Sequence, residues 1–235
     1  MLKINNFTKK YGNFVAVNNL NLEVKSGEIY GFLGPNGAGK STTIKAIVGV
    51  NKISQGEIYI DGKSVIDSPI ECKQVTAYVP DNPDVYENLT GIQYINFIAD
   101  IFGVEKSVRE ERINHYATEF EILKNLGDVI SSYSHGMRQK LVLISALVHA
   151  PKFLVLDEPF VGLDPMSAHK LKTIMREICD NGGAIFFSTH VLEVAEKLCD
   201  RIGVIKNGKL VAEGTVEELT GDKSLESFFL ELGNE

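Results

Sequence analysis

The sequence predicts an α/β protein built on a mainly parallel sheet, and three observations carry that prediction. Short unbroken apolar runs at Ile29–Leu33, Phe153–Leu156 and Ala184–Phe187 have the length and continuity of strands buried on both faces. Each run leads into residues suited to chemistry: Gly34 to Ser41, the pair Asp157-Glu158, and His190. Between them lie stretches with helical spacing, as the crossovers of a parallel sheet require.

Taken in order, the chain opens with strands at Leu2–Phe7 and Val15–Val24, the second broken by the turn-forming pair Asn18-Asn19. Between them sits Lys9-Lys10-Tyr11-Gly12. Tyr11 has two readings: a packing residue beside a turn, or a stacking surface for an adenine ring bound downstream. The run Ile29–Leu33 then breaks into Gly34-Pro35-Asn36-Gly37-Ala38-Gly39-Lys40-Ser41-Thr42, followed by Ile44, Ile47 and Val48 at helical spacing. The break fits G-x-x-x-x-G-K-[ST], a strand–loop–helix pattern whose backbone N–H groups converge on phosphate oxygens at a helix N-terminus. Lys40 would reach the β- and γ-phosphates, and the Ser41 hydroxyl would ligate Mg²⁺. A nucleotide and Mg²⁺ are therefore the expected ligands.

Gly56 to Gly62 alternates and ends in Asp61-Gly62, a hairpin signal that adds to the N-terminal strands and predicts an antiparallel β subdomain. A strand at Val75–Val79 runs into the loop Pro80-Asp81-Asn82-Pro83. From residue 89 to 150 the texture is helical. Thr90 is placed to cap a helix carrying Ile92, Ile95, Ile98 and Phe102, and Glu105–Leu123 presents Ile113, Tyr116 and Phe120 as a core face. Ser134 is a good cap for the amphipathic run Leu141–Val148, and Gly136 allows a close backbone approach. The expected organisation is one domain over residues 1–235, a core from 1–88 and 151–235 with a helical subdomain at 89–150.

Asp157 and Glu158 close a buried strand at the carboxyl edge where open α/β sheets hold ligands. Acids also end strands simply by solvating them, but beside a phosphate loop Asp157 reads as a Mg²⁺ ligand and Glu158 as the base that activates water. After the turn Gly162-Leu163-Asp164-Pro165 come a helix at Ala168–Cys179 and the strand that delivers His190 to the same edge. The tail alternates helix and strand around an Asn207-Gly208 hairpin.

Composition narrows the function classes. A net charge of −7 argues against a nucleic-acid surface, so no nucleic-acid partner is expected. The longest apolar stretch, near Leu141–Ala150, is about half of what a membrane helix needs. Cys72, Cys179 and Cys199 lack metal-ligand spacing and read as reduced packing residues of a cytoplasmic protein.

In order and spacing these motifs resemble the ATP-binding cassette (ABC) transporter ATPases over nearly the whole chain. The resemblance implies a P-loop NTPase core. It makes Tyr11 the adenine-stacking aromatic and Ser134-His135-Gly136-Met137 the signature that, with Ser134 and Gly136, contacts nucleotide held by a second chain. It also makes Asp81 a metal-side residue where the family usually has Gln, Asp157 the metal carboxylate, Glu158 the base, Gly162–Pro165 the D-loop and His190 the switch histidine, acting with Lys40. The signature departs from Leu-Ser-Gly-Gly-Gln, and its Gly-Met ending resembles the branch that powers drug, antibiotic-peptide and polysaccharide exporters. The implied protein is an ATPase that dimerises on ATP, most simply as a homodimer. Separately encoded membrane permease subunits would hold it on the inner face of the membrane. A ribosome-associated ABC ATPase remains an alternative, although those usually carry two cassettes and a charged linker. An importer ATPase is another, although those often add a C-terminal regulatory domain, and only some twenty residues follow Thr215 here.

Overall fold

The computed structural model describes residues 1–221 and 223–233. Two sheets and a helical segment make up the molecule. The first sheet is antiparallel and joins β1 (Leu2–Tyr11), β2 (Phe14–Val24), β4 (Gln55–Ile60) and β5 (Lys63–Ser64) in the order β2-β1-β4-β5. The second joins β6 (Thr76–Val79), β7 (Phe153–Asp157), β8 (Ala184–Thr189), β3 (Ile29–Leu33), β9 (Arg201–Lys206) and β10 (Lys209–Gly214) in the order β10-β9-β3-β8-β7-β6. Its neighbours pair in parallel except β9 with β10, the hairpin turned at Asn207-Gly208. The α/β class and the mainly parallel core are as the sequence predicts. All five residues of β3 and all five of β7 are buried, which is why those runs show no alternation.

The register of the parallel sheet places the chemistry. Leu33 pairs with Thr189, Asp157 with Ser188 and Val79 with Leu156, so the ends of β3, β6, β7 and β8 fall on one edge. The loops leaving that edge carry the phosphate loop, Asp81, Glu158 and His190. From the phosphate loop the chain enters α1 (Lys40–Ile47), whose Ile44 and Ile47 are fully buried against the sheet.

Between β6 and β7 run α3 (Gly91–Ile101), α4 (Lys106–Glu119) and α5 (His135–Leu147). Thr90 and Gln93 close a capping box on α3: the Gln93 backbone N–H donates to the Thr90 hydroxyl, and the Thr90 backbone N–H donates to the Gln93 side-chain Oε1. Ile95, Ile113, Phe120 and Leu143 of this segment share one apolar cluster with Leu154 and Phe187 of the main sheet, so the helices pack onto the core. Beyond the D-loop, α6 (Pro165–Asp180) covers the sheet, α7 (Leu192–Leu198) follows His190, and α8 (Val216–Thr220) and α9 (Leu225–Gly233) close the chain.

Three local expectations change. Asn18-Asn19 does not break β2; Asn19 takes φ 53° within a continuous strand, a left-handed setting that Asn tolerates, and the pairing with β1 shifts register there. Val75 ends a helix, α2 (Pro69–Val75), in place of opening β6. The helix expected at Glu105–Leu123 ends at Glu119, and Leu123 begins a separate 3₁₀ turn. All three cysteines are free thiols.

Candidate functional site

The phosphate loop is shaped by its glycines. Gly39 sits at φ 113°, and a Cβ there would fall 2.9 Å from the Ala16 carbonyl, so only glycine lets β2 lie against the loop. Below it Lys40 is 7% exposed, and its ammonium donates to the carbonyls of Gly34 at 2.7 Å and Pro35 at 3.4 Å. Burial pulls its pKa below the ordinary lysine value, with Glu158 and Asp157 opposing that fall. A ligand phosphate would exchange those two carbonyl contacts for charge-assisted ones.

Asp157 is 1% exposed at the end of β7. The Ser188 hydroxyl donates to its Oδ1, whereas among the described residues its Oδ2 has no hydrogen-bond partner. Burial raises its pKa, while the hydroxyls of Ser188 and Ser41 act against the rise and the charges of Asp81 and Glu158 add to it. A buried carboxylate oxygen left unpaired beside a serine hydroxyl is an unstable arrangement until a cation reaches it. Hard oxygen donors of this kind, completed by phosphate oxygens and water, suit Mg²⁺. The residues present therefore fit that ion. Asp81 lies exposed in its loop, with Oδ1 accepting from the Asn82 N–H at 2.8 Å.

Glu158 occupies the left-handed region at φ 49°, an uncommon setting for a residue with a side chain. Its backbone N–H donates to the Ser188 hydroxyl and to the Ser188 carbonyl, both at 3.2 Å, which fixes the turn off the strand. Its carboxylate lies 2.9 Å from the His190 Nδ1 and 3.9 Å from the Lys40 Nζ, and its Oε2 accepts from the His190 N–H at 3.4 Å. The structure thus brings Lys40, Asp157, Glu158 and His190 together. Ser188, given no role by the sequence reading, turns out to orient both acids. Its signal, a small hydroxyl in a buried strand, acquires meaning only through pairing with Asp157.

The other predicted residues lie apart. Tyr11 is 48% exposed; Asn51 donates to its hydroxyl at 3.0 Å, and the Lys9 ammonium stands 4.8 Å from the ring centroid over one face. Ser134 caps α5, its hydroxyl accepting from the Met137 N–H at 3.3 Å. Gly136 is needed within the chain, because a Cβ there would fall 2.8 Å from the Gly162 carbonyl. Lys140 pairs with Asp164 at 2.7 Å, and with Ser167 it holds the Asp164 carboxyl far below the usual carboxylate range. The start of α5 and the D-loop are therefore tied together. Among the described residues no hydrogen bond or ion pair joins Ser134 to the phosphate loop.

With this geometry in view, comparison with known proteins places the chain. The model of the ABC transporter family matches residues 17–161. The ABC-type transporter ATP-binding protein EcsA of Bacillus subtilis (strain 168) is 33% identical over 240 residues, spanning 100% of this chain and 97% of that protein. The linearmycin resistance ATP-binding protein LnrL of the same organism is 33% identical over 219 residues, 93% of this chain and 70% of that one. Among solved structures, an ATP binding subunit of an ABC transporter superposes with a TM-score of 0.95 at 32% identity, covering 99% of each chain. The dimeric post-hydrolysis state of the ATP-binding cassette MJ0796, bound to ADP and Pi, superposes at 0.83 with 25% identity, covering 92% of this chain and 98% of that one.

Proposed function

We propose, from the premise that this chain belongs to the ABC transporter family as an ATP-hydrolysing subunit, that it drives export as an ATP-closed dimer beneath separate membrane subunits. One observation carries the reading: Lys40, Asp157, Glu158 and His190 converge on one sheet edge, while among the described residues Ser134 and Gly136, at the N-terminus of α5, make no hydrogen bond or ion pair to them. A site divided in this way suits two copies meeting head to tail, the phosphate loop of each facing the other's signature in a closed C2 pair. The dimeric MJ0796 neighbour supports that arrangement. The N–H groups at the start of α5 would then add positive dipole to the γ-phosphate.

Within the edge, the chain's own groups divide the work. The phosphate loop and Lys40 hold and neutralise the triphosphate, Glu158 orients water and accepts its proton, and His190 steadies Glu158 and the charge growing on the transferred group. Bound Mg²⁺, held by Ser41 and Asp157 with Asp81 nearby, would supply positive charge to the phosphate oxygens. ATP favours the closed pair by its higher affinity for that state, and hydrolysis releases it.

Among the described residues no helix is long and apolar enough to cross a membrane, and the crossing is assigned to a membrane partner. The proposed contact is a groove of about 340 Å³ between the core and the helical segment, lined among others by Val50, Pro80, Tyr94 and Phe102 and flanking the Asp81 loop. Through it the partner would sense the metal end of the site and tether the chain to the inner face of the membrane. The export direction rests on the Gly136-Met137 ending and on a resistance protein among the relatives. Co-expression with the membrane protein of a neighbouring gene tests the whole reading: the pair should co-purify and drive ATP-dependent efflux from vesicles. ATP-dependent uptake would overturn export, and recovery with ribosomes alone would favour the translation-associated class.

A further inference from the structure

The C-terminal helix α9 lies outside the main sheet, on an apolar cluster of its own. Leu225 is fully buried there with Leu33, Ala195 and Ile202, and Phe228, Phe229 and Leu232 pack against them. Ala195 belongs to α7, the helix that begins two residues after His190. Two polar contacts fix α9 at either end: the Leu225 N–H reaches the Glu196 carboxylate of α7 at 3.5 Å, and the Lys206 ammonium of β9 donates to the Leu232 carbonyl. Between α9 and the active edge lies a mostly apolar cavity of about 260 Å³. Gly34, Pro35 and His190 form one wall, and Phe229 and Leu232 the other.

His190 therefore stands at the mouth of a void. Its side chain is 54% exposed, and among the described residues its polar side-chain contact is to Glu158. Walls of a cavity lack packing partners on one side, so the place of the imidazole depends on how the α7 start that follows it is held. Phe229 lines that void and packs on the cluster that holds Ala195 of α7. We propose that Phe229 is a positioning residue for His190, acting through the packing of α9 on α7 to hold the imidazole at the phosphate edge. The inference rests on the reading of His190 as a group acting on the transferred phosphate. A displacement of about 1 Å in such a group can cost roughly 10²-fold in rate.

A double-mutant cycle tests it in the full chain. Phe229→Ala should lower kcat about tenfold and leave KM for ATP within about twofold, because the phosphate loop still holds the nucleotide. Phe229→Leu, which keeps most of the volume, should restore at least half of the rate. In a His190→Ala background Phe229→Ala should cost nothing further, since the residue it positions is gone. Leu230→Ala, at a position 65% exposed on the same helix, should match the unaltered chain. An equal loss from Phe229→Ala with and without His190, or a lowered melting temperature with kcat intact, would overturn the positioning role. Near-normal turnover in His190→Ala alone would instead overturn the reading of His190, and the inference with it. If Phe229→Ala does not fold, Phe229→Val carries the same cycle.

Discussion

The active edge and the start of α5 meet solvent in opposite ways. At the edge, Lys40 and Asp157 are almost completely buried and each leans on specific neighbours, so charges act on one another through a low-dielectric interior. At α5, Ser134 and His135 are exposed, while the turns behind them are held by Arg138–Glu87, by Lys140–Asp164 and by the contact at Gly162. The difference teaches where each half of the chemistry can be finished. Charge must be organised inside one chain, where water is excluded. On the proposed reading, a surface that closes over the nucleotide of a second chain waits in solvent for that chain.

Three changes separate the two kinds of region, in order of expected effect. Asp157→Asn should remove most ATPase activity, by about 10²-fold or more, because the metal carboxylate is lost. The same change should raise the metal-free melting temperature by about 2–4 °C, the shift that about 1 kcal/mol gives a chain of this size, because it removes a carboxylate charge that burial disfavours. A calorimetric scan without Mg²⁺ showing a lower melting temperature would mean Asp157 is structurally satisfied. Asp81→Asn, in the exposed loop next to that carboxylate, should raise the Mg²⁺ needed for half-maximal activity several-fold without weakening metal-free ATP binding. An unchanged Mg²⁺ titration would remove Asp81 from the metal's surroundings.

The smallest effect belongs to Tyr11, at the solvent end. Tyr11→Ala should weaken ATP binding by about 0.5–1.5 kcal/mol, the worth of an aromatic contact, whereas Tyr11→Phe should bind almost normally. Titration calorimetry giving equal losses would credit the hydroxyl and its bond from Asn51, leaving stacking without support.

Which features could be read from the sequence follows the same physical division. The phosphate loop and the strands leading to Asp157 and His190 were readable because continuous apolar runs have few alternatives to a buried parallel strand. Local signals were weaker. Asn18-Asn19 carries turn residues, yet pairing with β1 on one side of the sheet holds β2 through them. Ser68-Pro69 is a fair helix start, but seven residues with one buried side chain give α2 no periodicity to detect. The role of Ser188 and the bond between Lys140 and Asp164 depend on register and packing across distant segments, which no local pattern encodes. The conformation of Glu158 is hidden for the same reason, as its left-handed backbone is imposed by the bonds to Ser188.

The claim that the hydrolytic edge is finished by another chain is most directly tested by molecular mass in solution. Glu158→Gln removes the base while keeping shape and hydrogen bonding, so with ATP and Mg²⁺ it should stop turning over and elute at twice the monomer mass. Adding Ser134→Asp keeps the helix cap but sets a negative charge against the incoming γ-phosphate, and should return the doubly altered chain to monomer mass. A Glu158→Gln chain that hydrolyses ATP near the normal rate, or pairs equally well with Ser134→Asp added, would contradict the account.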